Sequence, residues 1–369
     1  MKTSFLLAVI LFISKISFSQ VMPLTLEPDG GNKKASISEQ IGIVKIGIAY
    51  SRPGVKGREG KIWNTPVAHY GFADQGHGTS YAAPWRAGAN ENTTLSFSHP
   101  VRIEGKDLPA GTYGFFIALG ETESTLIFSK VNSSWGSFYY DSTQDALRVK
   151  VKNETLDKSV EWLRYDFADE TPNSAVIAMS WEKRRIPFKV EADVQQLQIA
   201  SFKSELRTTR PFYDFMSAAN YCITNNIELE QALAWMDRAI YFRVMGVKNF
   251  QTLSTKAAVL MKMNKPDEAK KVMEEAIPFG TVNEVHQYGR ALLNQKRTQE
   301  AFKIFKMNYD KAPNVFTTNV GMGRVYSAMN DYKKALAYLK AALPLAPDDI
   351  NKTNVAAMIK KLEEGKDVH

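Results

Sequence analysis

Residues 321–349 read GMGRVYSAMNDYKKALAYLKAALPLAPDD, and the second half of the chain takes its fold from this stretch. Its apolar residues recur at helical period. Gly323 and Ala335 are small enough to let two antiparallel helices approach closely, Tyr326 and Leu339 fill the space beside them, and Ala342 is a further small contact. Pro347 predicts the stop of the second helix. The stretch has copies upstream. EQALAWMDRAI from Glu230, DEAKKVMEEAI from Asp267, QEAFKIFKMNY from Gln299 and KKALAYLKAAL from Lys333 align on Ala232, Ala269, Ala301 and Ala335, spaced 37, 32 and 34 residues apart. The third copy keeps Gly289, Ala301, Phe305 and Pro313. The second keeps Ala257, Ala269, Met273 and Ala276, with Pro278 three residues early. The first is degenerate, with Asn220 at the small position, although Ala232 and Ala239 survive.

A unit near 34 residues is the tetratricopeptide period, and residues 212–347 resemble that repeat family. The resemblance implies an all-α array whose concave groove binds a peptide or a partner protein. The competing reading is an intrachain spacer packed on the first domain. Residues 348–369 predict a capping helix and tail, and 195–211 a linker or first helix.

Upstream the period is two. Short apolar runs such as IVKIGIAYS, TTLSFSH, GTYGFFIAL, STLIFSK, LRVKVK, VEWLRYDF and AVIAMSWE alternate with turn signals at roughly ten-residue spacing. The pattern predicts an all-β sandwich over residues 38–194, with Lys183-Arg184-Arg185 as a hairpin turn whose charges sit in water. Residues 20–37 read as an N-terminal extension. The runs YSRPGVKGREGKIW, PWRAGANENTT, LPAGTYGFF, WGSF (135–138), ALRVKVK and SVEWLRYDF resemble a bacterial family known as domain of unknown function 2911, over roughly residues 38–193. That family occurs in secreted proteins of Bacteroidetes, sometimes with tetratricopeptide repeats behind it. The resemblance implies a compact β domain outside the cytoplasm and supplies no reaction. One departure is the longer loop HYGFADQGHGTSYAAP between Trp63 and Trp85.

Residues 1–19 have the form of a secretory signal peptide: Lys2, a short apolar run from Phe5 to Ile13, then Ser17-Phe18-Ser19. Nine apolar residues are too few to span a membrane as a helix, and a soluble, exported protein of the periplasm or cell surface is expected. The lone Cys222 allows no intramolecular disulfide and reads as a buried small hydrophobe. Without the leader the chain carries 45 basic and 39 acidic residues. Residues 195–369 hold 25 and 18 of these, so the basic excess belongs to the second half. That balance favours an acidic partner or an anionic envelope surface, and nothing resembles a nucleic-acid motif. No cofactor motif is present.

The segment PWRAGANENTT (84–94) has three readings. In the first it is a corner between two sheets: Arg86 and Glu91 pair across the bend, Gly88 supplies positive φ, and Trp85 is buried beneath. In the second it is a ligand site for a glycan or another envelope ligand. Trp63, Tyr70, Tyr81 and Trp85 offer stacking faces, Arg86 a donor fork, and Asn90 and Glu91 hydrogen bonds to hydroxyls. In the third, His69, His77 and His99, three of only five histidines, hold a metal ion with Asp74 and Glu91 nearby. A metal-assisted hydrolase acting through His69, His77 and Glu91 follows from the third, whereas the first two suit a non-catalytic binding or scaffold protein. YSRPGVKGREGK adds Arg52, Lys56, Arg58 and Lys61 on a loop that binds an anion or pins its own backbone.

Overall fold

The structure, a computed structural model, describes residues 31–76 and 78–368. The expected leader, most of the 20–37 extension and His77 lie outside the described residues. The chain divides into two compact units, one ending at Ala200 and the other beginning at Ser201.

The described residues of the first unit form ten strands: β1 (Lys33–Ile41), β2 (Val44–Arg52), β3 (Thr93–Phe97), β4 (Val101–Ile103), β5 (Lys106–Leu108), β6 (Gly111–Ala118), β7 (Glu123–Ser129), β8 (Asp145–Lys152), β9 (Glu154–Thr171) and β10 (Ser174–Glu191). They form a six-stranded sheet in the order β1-β2-β3-β6-β7-β8 and a four-stranded sheet in the order β5-β4-β10-β9. Every pairing between these strands is antiparallel. Strict alternation explains β2: Val44, Ile46, Ile48 and Tyr50 are buried while Lys45 and Ala49 face solvent. The core is filled by Ile46, Ile48, Phe115, Phe128, Trp181 and Phe188, all fully or almost fully buried. Each such side chain contributes about 1.5–3 kcal/mol through removal from water.

Two expectations need correction here. The strand region begins before residue 38, because Lys33 to Ile37 already pair with Arg52 to Ile48. This is an edge strand, and its interspersed lysines and serines hide the alternation. Lys183–Arg185 is not a hairpin turn but lies within the 18-residue β10. Glu182 adopts positive φ (+48°) and the register shifts on either side of it, so the local break is a bulge and not a chain reversal. On β9, Leu163 and Tyr165 are the buried members, whereas Trp162 is only partly covered and Lys33 sits over its ring at 4.9 Å.

The second stretch is helical: α1 (Val194–Glu205), α2 (Phe212–Asn225), α3 (Leu229–Tyr241), α4 (Phe250–Lys262), α5 (Pro266–Ala276), α6 (Val282–Asn294), α7 (Thr298–Lys311), α8 (Phe316–Ala328), α9 (Tyr332–Ala342) and α10 (Asp349–Glu363). α1 overlaps the segment 195–211, and α10 falls within residues 348–369. The pairs α2/α3, α4/α5, α6/α7 and α8/α9 are helical hairpins. The four aligned alanines all lie on the second helix of a hairpin and are at most 2% exposed. A Cβ on Gly289 would stand 2.7 Å from the Phe305 ring, and one on Gly323 would stand 2.6 Å from Leu339. Close approach is therefore the reason for both glycines. Tyr326 stacks on Tyr338 with ring centres 5.6 Å apart. Capping boxes start α4 (Asn249 with Thr252) and α6 (Thr281 with Glu284).

The stop predicted at Pro347 falls earlier, since α9 ends at Ala342. Pro344 lies in the 3-10 turn Leu343–Leu345, and Pro278 occupies the matching place in the turn Ile277–Phe279 after α5. A proline has no N–H to continue the α-helical ladder, so each helix tightens at that point. Pro278 is thus in register with Pro344, not a displaced copy of Pro347. Cys222 is buried, and its thiol is pushed up to about 11 by burial and by Glu228. Among the described residues no helix is long and apolar enough to cross a membrane.

Candidate functional site

PWRAGANENTT lies along β6. Trp85 exchanges both backbone hydrogen bonds with Ile117 (3.1 and 2.9 Å), and Thr93 pairs with Phe115. Residues 86–92 are therefore looped out between points only two β6 residues apart. The expected corner between sheets is a loop-out within one strand lane.

Side-chain bonds hold the loop. Thr93 Oγ1 and the Tyr165 hydroxyl both donate to the Ala87 carbonyl, at 3.0 and 2.8 Å. Asn92 Oδ1 accepts from the Ser134 N–H, Ser137 Oγ donates to the Pro84 carbonyl, and Ala89 N donates to the Ser51 carbonyl. Positive φ falls at Ala87 (+53°) and Asn90 (+58°), not at Gly88. Gly88 is needed for space, because a Cβ there would lie 2.8 Å from Thr93 Oγ1 and 3.0 Å from the Ser51 carbonyl. The expected Arg86–Glu91 pair is also replaced. Arg86 Nη1 donates to the Asn90 carbonyl at 3.1 Å, with Phe138 beneath the guanidinium at 5.2 Å. Glu91 instead receives Lys34 Nζ at 2.6 Å and Ser51 Oγ at 3.3 Å, and the Lys34 bond holds its carboxyl below the usual range.

The residues expected to form one ligand site are dispersed. Trp85 (4% exposed) stacks parallel to Trp181, with ring centres 6.1 Å apart, and Trp63 meets both rings edge-on. The Trp63 indole N–H is taken by Glu182 Oε2 at 2.7 Å, and the Arg184 guanidinium covers its face at 4.5 Å. Arg184 also donates to the Tyr70 hydroxyl (2.8 Å) and the Gly120 carbonyl (3.0 Å). Trp63 and Tyr70 are thus engaged by the fold. Tyr81, 80% exposed, lines a separate cavity with Phe72, Tyr140 and Arg148, and Glu91 lines another with Lys34 and Tyr50. Of the expected set, only Trp85, Arg86 and Asn90 share a cavity, one of about 570 Å³. Lys56, Arg58 and Trp181 join them there.

His69 and His99 do not converge. Tyr70, next to His69, bridges to Leu119 past the end of β6, whereas His99 follows β3, whose Phe97 pairs with Gly111 at the start of β6. At roughly 3.3 Å per residue the two lie about 26 Å apart along the strand. His69 Nε2 contacts Gln75 Nε2 (3.1 Å), and His99 Nδ1 contacts Ser98 Oγ (2.9 Å). Among the described residues no group of three histidine, cysteine or acidic side chains is placed to hold a metal ion. His77 lies outside them.

Trp181, Glu182 and Arg184 were not singled out as site residues by sequence reasoning. Their only sequence signal is a long apolar strand ending abruptly in W-E-K-R-R.

In the second unit, α2 lies against α4 and α6 against α8, but neither α4 nor α5 packs closely on α6. The hairpins meet at Phe250, Ile277 and Val285 and then diverge around a cavity of about 480 Å³. Phe250, Ala257, Met261, Met273, Tyr288 and Leu292 form its apolar lining. At its edge Lys270 Nζ and Arg297 Nε reach Glu300, at 3.3 and 2.8 Å. Burial raises the Tyr288 hydroxyl above its ordinary value. The sequence marks this junction only by the 32-residue spacing from Ala269 to Ala301, the shortest of the three.

A two-sheet β domain followed by an array of helical hairpins is the class this geometry defines. Residues 32–190 match the family described as protein of unknown function (DUF2911), and residues 317–349 match the tetratricopeptide repeat. No curated protein matches the chain. Among solved structures, the chain is similar to YrrB, described as a TPR protein with an unusual peptide-binding site. That likeness is at 20% identity and a TM-score of 0.28, covering 40% of this chain and 74% of that one.

Proposed function

We propose that this is an exported, non-catalytic binding protein whose helical array holds a peptide segment of a protein partner. In this reading the β domain carries a second ligand, a glycan or another envelope molecule. The observation that supports the reading is the cleft between the second and third hairpins. A repeat array normally closes such junctions, because each unit buries its apolar face against the next. Here an apolar cleft of about 480 Å³ stays open, within the range of cavities that take ligand groups. Its size and lining suit one large apolar side chain of a partner. The excess of basic over acidic residues in 195–369 (25 against 18) favours acidic residues beside that anchor. The charged, apolar and small-residue pattern of residues 1–19 supports export.

Ala291 is exposed and lines the cleft. The test is capture from envelope extract by the full chain and by Ala291→Trp, which fills the cleft, with helical circular dichroism confirming that the array is intact. A partner retained by the wild type is expected to be lost by about tenfold or more in the variant, as removing a buried anchor requires. Equal retention would refute the cleft as the binding site.

A further inference from the structure

The two stretches YSRPGVKGREGK and PWRAGANENTT are far apart in sequence but meet at one cavity of about 570 Å³, lined by Asn32, Lys56, Arg58, Arg86, Asn90 and Trp181 among others. Three cationic side chains line it, and no carboxylate among the described residues does. Arg58 is oriented by its own loop: Nε donates to the Val55 carbonyl at 3.0 Å and Nη2 to the Gly54 carbonyl at 2.7 Å. Glu161 is close by but accepts from the Lys56 backbone N–H, leaving the ammonium over the Trp162 ring at 5.9 Å. Arg86 is half-buried, and burial pulls its guanidinium below its ordinary value. Its hydrogen bond goes to a neutral carbonyl, that of Asn90, and no carboxylate among the described residues pairs with it. Gly136 makes room for it, since a Cβ there would stand 2.4 Å from Arg86 Cζ. Trp181 is fully buried, and its indole N–H has no hydrogen-bond acceptor among the described residues.

A half-buried guanidinium without a counter-ion costs stability unless something neutralises it. Donor forks with several unused N–H groups match the two oxygens of a carboxylate or phosphate. We infer that this cavity is an oxyanion site that takes the carboxylate or phosphate group of a small organic ligand, such as an acidic sugar. The inference rests on the reading that the β domain carries a ligand, and it is independent of the helical array.

Calorimetric titration of the full chain at low salt with glucuronate, inorganic phosphate and glucose tests it. Glucuronate or phosphate is expected to bind while glucose does not, and the tighter of the two anions identifies the chemical source. Arg86→Gln should weaken that binding by about tenfold or more, the loss expected for a charge-assisted hydrogen bond. Lys56→Gln removes an exposed charge with little risk to folding and should weaken it by a smaller factor. Equal binding of glucose and glucuronate overturns the oxyanion assignment while leaving the β domain a ligand carrier. Binding of none of the three, or anion binding unchanged in both variants, overturns the assignment. Loss of partner capture in Ala291→Trp bears only on the array.

Discussion

His286 shows how one residue can carry a pH dependence that the sequence does not announce. It lies on α6, 7% exposed, with its ring edge-on to Phe305 at 5.3 Å. Burial, then Arg324 and Arg290, push its imidazole down to about 4, while a backbone bond to Thr317 offsets part of that. In the unfolded chain it titrates near the ordinary value of about 6.5. Between those two values the unfolded state binds a proton that the folded state refuses. Stability is therefore full above about pH 6.5 and falls as the pH drops toward 4, by about 3 kcal/mol from this group. Urea unfolding of wild type and His286→Gln at pH 7 and pH 4.5 measures it, and the variant should lose markedly less stability on acidification. An equal loss in both proteins would show that the drop comes from other groups. The motif at Arg86 gives a second residue-scale lesson. The spacing of Arg86 and Glu91 allows an ion pair, but the loop-out turns Glu91 to Lys34 of β1, two strands away in the sheet, and Arg86 to the Asn90 carbonyl. Spacing along the chain did not specify a partner that tertiary pairing supplies.

At the scale of elements, the helical hairpins depend on two glycines. Both are in helices, where glycine by itself costs about 1 kcal/mol relative to alanine. Gly323→Ala should nevertheless destabilise the array by about 1–3 kcal/mol, because the new methyl group overlaps Leu339. Gly289→Ala should act similarly against Phe305. Thermal melts of the two variants check this, and a rise in midpoint would show that the neighbouring side chain simply moves aside. Most of the strands and helices were legible because they keep a period of two or 3.6, whereas the start of β1 was hidden by its lysines and serines. The bulge at Glu182 and the loop-out at 86–92 were not, because each is one lane of a sheet accommodating extra residues. Only the partner strand determines where those residues go.

At the scale of the molecule, charge and cavities set the expectations. The net +7 of residues 195–369 predicts that partner capture by the array weakens with salt. Raising the salt from about 0.1 M to about 1 M shortens the screening length from about 10 Å to about 3 Å. The captured fraction should fall several-fold over that range. Capture that is insensitive to salt would assign the affinity to the apolar cleft alone.

Composition, periodicity and the 37-, 32- and 34-residue spacing were enough to place a β-rich half before a helical-repeat half, and to identify the alanines and glycines that bring helices together. Those properties are local or strictly repeated, so they are written in the order of residues along the chain. The cavities are of a different kind. The cavity at Arg86 needs the loop after β2, the loop-out beside β6 and Trp181 of β10, and the cleft needs two hairpins that meet at one end only. Each depends on which side chains remain unpaired after long-range packing is complete, and that is settled only when distant segments compete for the same partners.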